Sequence, residues 1–275
     1  MFNIIKPKQM GLALTITMLM AISSSAFPTN EFQTKLLEAA NTKKSGEYVR
    51  EHFLERVKKP FSQKSKKKLL LIGDSHAQDF LNGILENKFL ADYQISTRYI
   101  PVRCQIFLGE DKNRKIARKD KSFCGKSDSL SKAKDQIAKA DVIILAASWK
   151  EWAAKLLPQT IKNMKLNDKQ KLFVIGRKSF GKISIRNYLR LPKDKLRTLR
   201  TTPDKFQSKI STIMNKALNK SVFINTQKLI CGTSGTCPVF TKDLSLISFD
   251  GGHLTKDGAR YVGKILFKDS LLRQL

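Results

Sequence analysis

The run Lys68-Leu69-Leu70-Leu71-Ile72-Gly73-Asp74-Ser75-His76 carries the strongest structural signal in the chain. Past its lysine it shows no polar alternation, as expected of a strand buried on both faces. Gly73 permits a sharp exit, and Ser75 stands just before a helix expected over Ala77–Leu90. Working outward, short apolar runs recur at Tyr93–Ile100, Val142–Ala146, Leu172–Gly176 and Val222–Ile224. Amphipathic stretches between and after them predict helices over Leu130–Ala140, Lys150–Met164, Asp204–Leu218 and Lys256–Lys268, the last capped by Thr255. Five strands alternating with helices predict a three-layer α/β/α sandwich with a five-stranded parallel sheet. Right-handed crossovers make the flavodoxin-like order 2-1-3-4-5 the expected one. Residues Arg177–Thr202 read as a basic, irregular segment.

The amino terminus predicts export. Lys6 and Lys8 precede an apolar run from Met10 to Ile22 and then Ser24-Ser25-Ala26, the pattern of a cleaved secretory signal over residues 1–26. The apolar run is about thirteen residues, short of the roughly 20 a spanning helix needs. Residues 27–66 read as a helical lead-in, periodic over Asn30–Val57 and ended by Pro60, and residues 67–275 as the α/β domain. The expected location is periplasmic or secreted.

Lys and Arg number 52 against 23 Asp and Glu, a net charge of +29. Such a field attracts polyanions. Export sets nucleic acid aside and favours anionic envelope polymers, phosphorylated head groups or acidic glycans. Apart from Lys64–Lys68 and Lys112–Lys121 the basic residues are dispersed, so an ordinary solvated lysine surface is the alternative.

Four cysteines, Cys104, Cys124, Cys231 and Cys237, all follow the signal. An even count in an oxidising compartment predicts two disulfides. Of three possible connectivities, pairing within each loop is expected, because each pair then staples a segment without secondary-structure signals. Zinc is disfavoured, since neither pair is a C-x₂-C unit and no histidine lies near; no metal or organic cofactor is expected.

Ligands of such a sheet gather at the carboxyl ends of its strands. A hydroxyl at Ser75 would stand there, beside its own N–H and the positive end of a helix; taken alone, Ser75 reads more simply as a helix cap. Near the other end of the chain comes Phe249-Asp250-Gly251-Gly252-His253-Leu254. A serine needs a base, and the imidazole needs a carboxylate to set its tautomer. Only three histidines occur, His52, His76 and His253, and two lie in these motifs.

Gly-Asp-Ser-His after the first strand and Asp-x-x-His-Leu before the last helix resemble the first and last blocks of SGNH (GDSL) hydrolases. The likeness is closer to the SGNH domains fused to, or associated with, membrane acyltransferases that modify bacterial surface polysaccharides. Matching stretches are the Cys104–Cys124 loop, Val142-Ile-Ile-Leu-Ala-Ala-Ser-Trp149, and Cys231–Cys237 leading to Asp250-Gly-Gly-His-Leu-Thr-Lys-Asp-Gly-Ala259, so the resemblance spans Lys68–Phe267. It implies the SGNH hydrolase fold, with Ser75 as nucleophile, His253 as general acid/base and Asp250 as its orienting carboxylate. His76 reads as a structural or substrate-side residue of the same block.

Two blocks depart from the pattern. Gly109 is the only glycine between the second strand and Cys124 that could stand for the oxyanion glycine, and Ala147-Ser148-Trp149 occupies the place of a block that normally holds Asn. The expected oxyanion donors are therefore Ser75, Gly109 and Ser148; losing one such donor costs about 2.7–4 kcal/mol of transition-state stabilisation. Trp149 is a candidate to stack on a sugar, with a core position as the alternative. The resemblance implies a serine esterase or O-acyltransferase acting on small acyl esters, acetyl esters above all, of envelope or extracellular carbohydrate, in association with a membrane acyltransferase. The competing class is a catalytically impaired module of the same fold that binds glycans or anionic polymers.

Overall fold

The structure is a computed structural model that describes residues 31–62, 66–110 and 115–275. The expected signal, residues 1–26, and part of the Lys64–Lys68 and Lys112–Lys121 clusters lie outside these residues. Its centre is a five-stranded parallel sheet of β1 (Lys67–Gly73), β2 (Tyr93–Tyr99), β3 (Val142–Ala146), β4 (Lys171–Ile175) and β6 (Phe223–Ile224). A short β5 (Arg200–Thr201) intervenes in sequence and pairs antiparallel with β7 (Cys237–Pro238) away from the main sheet. The main order is β2-β1-β3-β4-β6, which is the anticipated 2-1-3-4-5.

Alternate residues of the central strands feed opposite layers. Leu70, Ile72, Ile143, Leu145 and Val174 face helices Lys134–Lys139, Glu151–Lys155, Leu157–Met164 and Lys205–Ala217 through Ile137, Ala153, Leu157, Ile210 and Met214. Leu69, Leu71, Ile144, Ala146 and Ile175 face helices Thr42–Leu54, Ser75–Glu86 and Lys256–Asp269 through Phe53, Leu81, Ile84, Ala259 and Val262. Each fully buried aliphatic side chain contributes ~1.5–3 kcal/mol, so the two layers supply most of the hydrophobic stabilisation.

Register sets where the chemistry sits. Gly73 lies beside Tyr99 and Ala146, and Ile175 lies beside Ala146 and Ile224. The loops that leave these strands therefore meet at one rim. At Gly73 the neighbouring strand comes so close that a Cβ would lie 1.7 Å from the Ala146 carbonyl oxygen. On the layer that carries both the Ser75 helix and the last helix, Gly83 and Gly263 let the two backbones touch.

Several elements differ from expectation. The lead-in is two helices, Glu31–Ala39 and Thr42–Leu54, because Asn41 caps the second by accepting from the N–H groups of Lys43 and Lys44. This lead-in is packed into the domain: Phe53 is fully buried, and its carbonyl accepts from the Thr97 hydroxyl of β2 at 2.8 Å. The helix expected over Lys150–Met164 breaks at Leu156, ahead of Pro158. Segment Arg177–Thr202 is ordered into helices Ile185–Tyr188 and Lys193–Thr198 and strand β5, since Tyr188 and Leu196 bury against Leu36, Val239, Phe240 and Leu246. Both disulfides are the local ones, Cys104–Cys124 and Cys231–Cys237.

Gly73→Ala pushes a methyl into the Ala146 carbonyl, and overpacking of this kind costs about 1–3 kcal/mol. The expected outcome is a lower urea midpoint at unchanged m-value; a midpoint equal to wild type would contradict the close strand approach.

Candidate active site

The rim is built outward from the end of β1. Asp74 is the N-cap of helix Ser75–Glu86: its Oδ1 accepts from the His76 N–H at 2.9 Å. The same carboxylate accepts the Ser148 N–H at 2.9 Å through Oδ2 and 3.1 Å through Oδ1, so it joins the ends of β1 and β3. Burial pushes its pKa up to about 6, against the pull of these N–H groups and of Lys178 and His253. The cap is thus Asp74, and Ser75 is the first helical residue. There the N–H has no intrahelical acceptor, and none takes it among the described residues.

The loop before the last helix carries the second part of the site. Ser248 and Leu254 pair as an isolated antiparallel bridge. The Ser248 hydroxyl donates to the His253 carbonyl at 2.6 Å and accepts the Gly251 N–H at 2.9 Å. Within the loop, Asp250 Oδ1 accepts the N–H groups of Gly252 and His253 at 2.8 and 2.7 Å, and Oδ2 lies 2.6 Å from His253 Nδ1. Partial burial raises the Asp250 pKa, but the hydrogen bond with the His253 ring, the two N–H groups and the imidazole charge outweigh it and hold the value at about 2. An ionised carboxylate only accepts. Nδ1 therefore carries a proton, and in the neutral ring the lone pair is on Nε2. Burial lowers the His253 pKa, and the bond to Asp250 with the charge of Asp79 more than offsets that, leaving it above the ordinary 6.5.

A buried ion pair locks the two parts together. Asp79 is fully buried, and its Oδ2 lies 2.5 Å from Lys178 Nζ. Lys178 follows β4 closely and also donates to the Gly252 carbonyl at 2.7 Å. Asp79 Oδ1 accepts the Leu254 N–H at 3.1 Å. One ammonium and one carboxylate thereby hold the Ser75 helix, the loop after β4 and both sides of His253.

These elements open onto a single cleft of about 530 Å³, lined among others by Ser75, His76, Val102, Ser148, Lys178, Lys182, Asp250 and His253. That is within the size range of small-molecule sites. His76 is buried, and desolvation together with the charge of Lys178 lowers its pKa well below the usual value, so it is neutral and adds no cation.

Two expectations are corrected. Trp149 is 2% exposed and donates its indole N–H to the Ile175 carbonyl at 2.9 Å, so it packs between strand ends and offers no sugar-stacking face. Gly109 lines a different cleft, with Leu108, Lys134 and Asn163, because the loop after β2 turns away from the rim. The residue that loop brings to Ser75 is Val102, in a turn closed by the Cys104 N–H on the Pro101 carbonyl at 2.8 Å. Ser148 does reach the cleft, but its N–H belongs to Asp74 and its carbonyl to Gln105 Nε2 at 3.1 Å, leaving its hydroxyl as the group on offer.

Sequence reasoning missed Asp79, Lys178 and Gln105. Asp79 had a signal, since it lies four residues after Ser75 and so on the same helix face. Lys178 had a weaker one, its place just past a strand end. Gln105, whose Oε1 accepts the Lys150 N–H at 2.8 Å and so ties the loops after β2 and β3, had none.

Comparison with known proteins places these motifs in context. A family model described as the SGNH domain fused to AT3 domains matches residues 46–268. Among solved structures, the lipopolysaccharide acetyltransferase periplasmic domain of Salmonella ser. Paratyphi A is similar in fold, with a TM-score of 0.57 and 20% identity, covering 84% of this chain and 96% of that one. No curated protein matches the sequence.

The buried pair makes a specific prediction. Lys178→Met strands the Asp79 charge and is expected to cost about 3–5 kcal/mol in urea unfolding, whereas Asp79→Leu with Lys178→Met recovers most of that loss. Hydrogen exchange at the Leu254 amide is expected to be faster in both; unchanged exchange in the double variant would mean Asp79 does not hold that loop.

Proposed function

The chain belongs to the family of SGNH domains fused to AT3 domains, one of acyl transferases and esterases, and we propose that it is an exported serine esterase or O-acyltransferase for small acyl esters of carbohydrate. The observation that carries this reading is the grouping of Ser75, Asp250 and His253 on one cleft, with Asp250 ionised against Nδ1 of the imidazole. In the proposed reaction Nε2 of His253 takes the Ser75 proton as Oγ attacks the ester carbonyl. The tetrahedral oxyanion draws on the Ser75 N–H at the helix start and the Ser148 hydroxyl. As it collapses, imidazolium returns the proton to the leaving sugar oxygen and an acyl-Ser75 ester remains. Water or a second sugar hydroxyl, deprotonated by the same imidazole, then takes the acyl group, and the imidazolium returns the proton to the departing Ser75 Oγ.

The clamp of Asp79 and Lys178 would hold His253 in register with Ser75 through these steps, and misplacement by ~1 Å can cost on the order of 10²-fold in rate. Two disulfides fit an oxidising compartment. Among the described residues no helix is long and apolar enough to cross a membrane. The family's fusion to AT3 domains supports action alongside a membrane acyltransferase that supplies or shares the acyl group.

Turnover of a chromogenic acetyl ester is expected from the wild-type chain and is expected to vanish with Ser75→Ala; turnover that survives the substitution would dismiss Ser75. The pH dependence follows from His253. The base must be neutral, and its folded pKa is raised, so kcat/KM is expected to fall as pH drops through a midpoint above 6.5. Asp250→Asn removes the carboxylate that raises it, so the residual activity, lower by about 10⁴-fold, is expected to show its acid limb at lower pH. A limb that stayed in place would mean that another group is the base.

A further inference from the structure

The wall of the cleft contributed by residues 177–182 continues into a segment of unusual charge. Between Arg177 and Arg200 the chain has nine basic residues and a single acidic one, Asp194, and these 24 residues hold five of the chain's 13 arginines. A generally lysine-rich surface does not account for that concentration of arginine. Arg is the cation whose planar fork pairs bidentately with carboxylate and phosphate.

Some of these charges have structural work. Arg177 pairs with Asp204 at 2.7 Å, Lys178 with Asp79, and Arg200 donates to the Cys231 carbonyl at 2.7 Å and to the hydroxyls of Ser234 and Thr236. The exposed side chains of Lys182, Arg186, Arg190, Lys195 and Arg197 make no ion pair or hydrogen bond among the described residues. The backbone beneath them is nevertheless fixed. Tyr188 and Leu196 are buried, Thr201 donates its hydroxyl to the Phe180 carbonyl, and β5 is paired with β7 beside the Cys231–Cys237 disulfide. Lys182 lies on the cleft wall that carries His253. Arg186 follows four residues on, within ~14 Å along the chain, and Arg190 within ~14 Å of Arg186.

We infer that the carbohydrate held in this cleft is anionic, an oligosaccharide bearing carboxylate or phosphate groups, and that Lys182, Arg186 and Arg190 hold those groups while a neighbouring acyl ester lies at Ser75. The inference rests on the proposed function for the position of the ester, and on the basic segment for the charge of the glycan. Because the backbone is already ordered, only side-chain freedom is lost when an anion arrives, and exposed ion pairs of this kind add modestly and are screened by salt.

The test is equilibrium binding to the full chain of three oligosaccharides of equal length: hexagalacturonate, phosphorylated maltohexaose and neutral maltohexaose. At least one acidic probe is expected to bind about tenfold or more tightly than the neutral one, as three exposed ion pairs would give, and to weaken as salt rises. Which acidic probe wins distinguishes carboxylate from phosphate. Lys182→Gln/Arg186→Gln/Arg190→Gln is expected to remove the preference and flatten the salt dependence. Equal binding of all three, or a preference that survives the triple variant, overturns the inference. Turnover of the chromogenic acetyl ester, measured in parallel, keeps the two readings apart: acidic binding without turnover sinks the enzyme and leaves the anion site, and turnover without acidic preference does the reverse.

Discussion

The contact between Lys178 and Asp79 is where the three parts of the rim become one. A helix that begins at Ser75, a strand end at Ile175 and a loop that carries His253 come from distant parts of the sequence, and packing alone fixes their bodies but not their tips. The ammonium and the carboxylate, both almost without solvent, each take a second partner in the histidine loop, the Gly252 carbonyl and the Leu254 N–H. Buried charges are tolerated when paired and hydrogen-bonded, and they penalise any arrangement that parts them. The pair therefore specifies geometry more than it adds stability, in the cleft where the proposed reaction would need that geometry.

Around that lock the titratable groups are sorted by environment. Asp250 is held ionised, His253 is biased toward carrying charge, and His76 is kept neutral by burial and by Lys178. Asp74, pushed up to about 6 by burial, is committed to N–H groups of the helix start and of Ser148. Of the two histidines at the cleft, one is equipped with a carboxylate partner and one is not. This division of roles, more than the presence of the motif residues, is what favours acyl chemistry over a passive binding module.

Much of this was legible in the sequence because it depends on local pattern. Leu69–Ile72, Val142–Ala146 and Leu172–Ile175 announce buried strands by having no polar face, and right-handed crossovers then leave little choice of order. Asp250 and His253 lie three residues apart, so their pairing needs no knowledge of the fold. What escaped was set by tertiary contact. Lys178 pairs with a residue 99 positions away, and nothing in its own neighbourhood distinguishes it from the other basic residues of its segment. Trp149 could be a sugar platform or a core residue until the Ile175 carbonyl is seen to take its N–H. The path of the loop after β2, which carries Gly109 away and brings Val102 in, depends on the Cys104–Cys124 closure and on Gln105, neither of which has a periodicity to read. The order within Arg177–Thr202 comes from Tyr188 and Leu196 finding partners in the lead-in and in the loop near Phe240, again far off in sequence.

The proposed function comes down to a proton leaving the Ser75 hydroxyl for the His253 imidazole. The direct measurement is a crystal structure of the chain after reaction with an acyl-mimicking phosphonate. The account predicts phosphorus bonded to Oγ of Ser75, with His253 Nε2 within hydrogen-bond reach, about 2.6–3.2 Å, of an oxygen on the adduct, and Lys178 still bridging Asp79 and Gly252. An adduct on another residue, or an imidazole turned out of reach with the bridge intact, would contradict it.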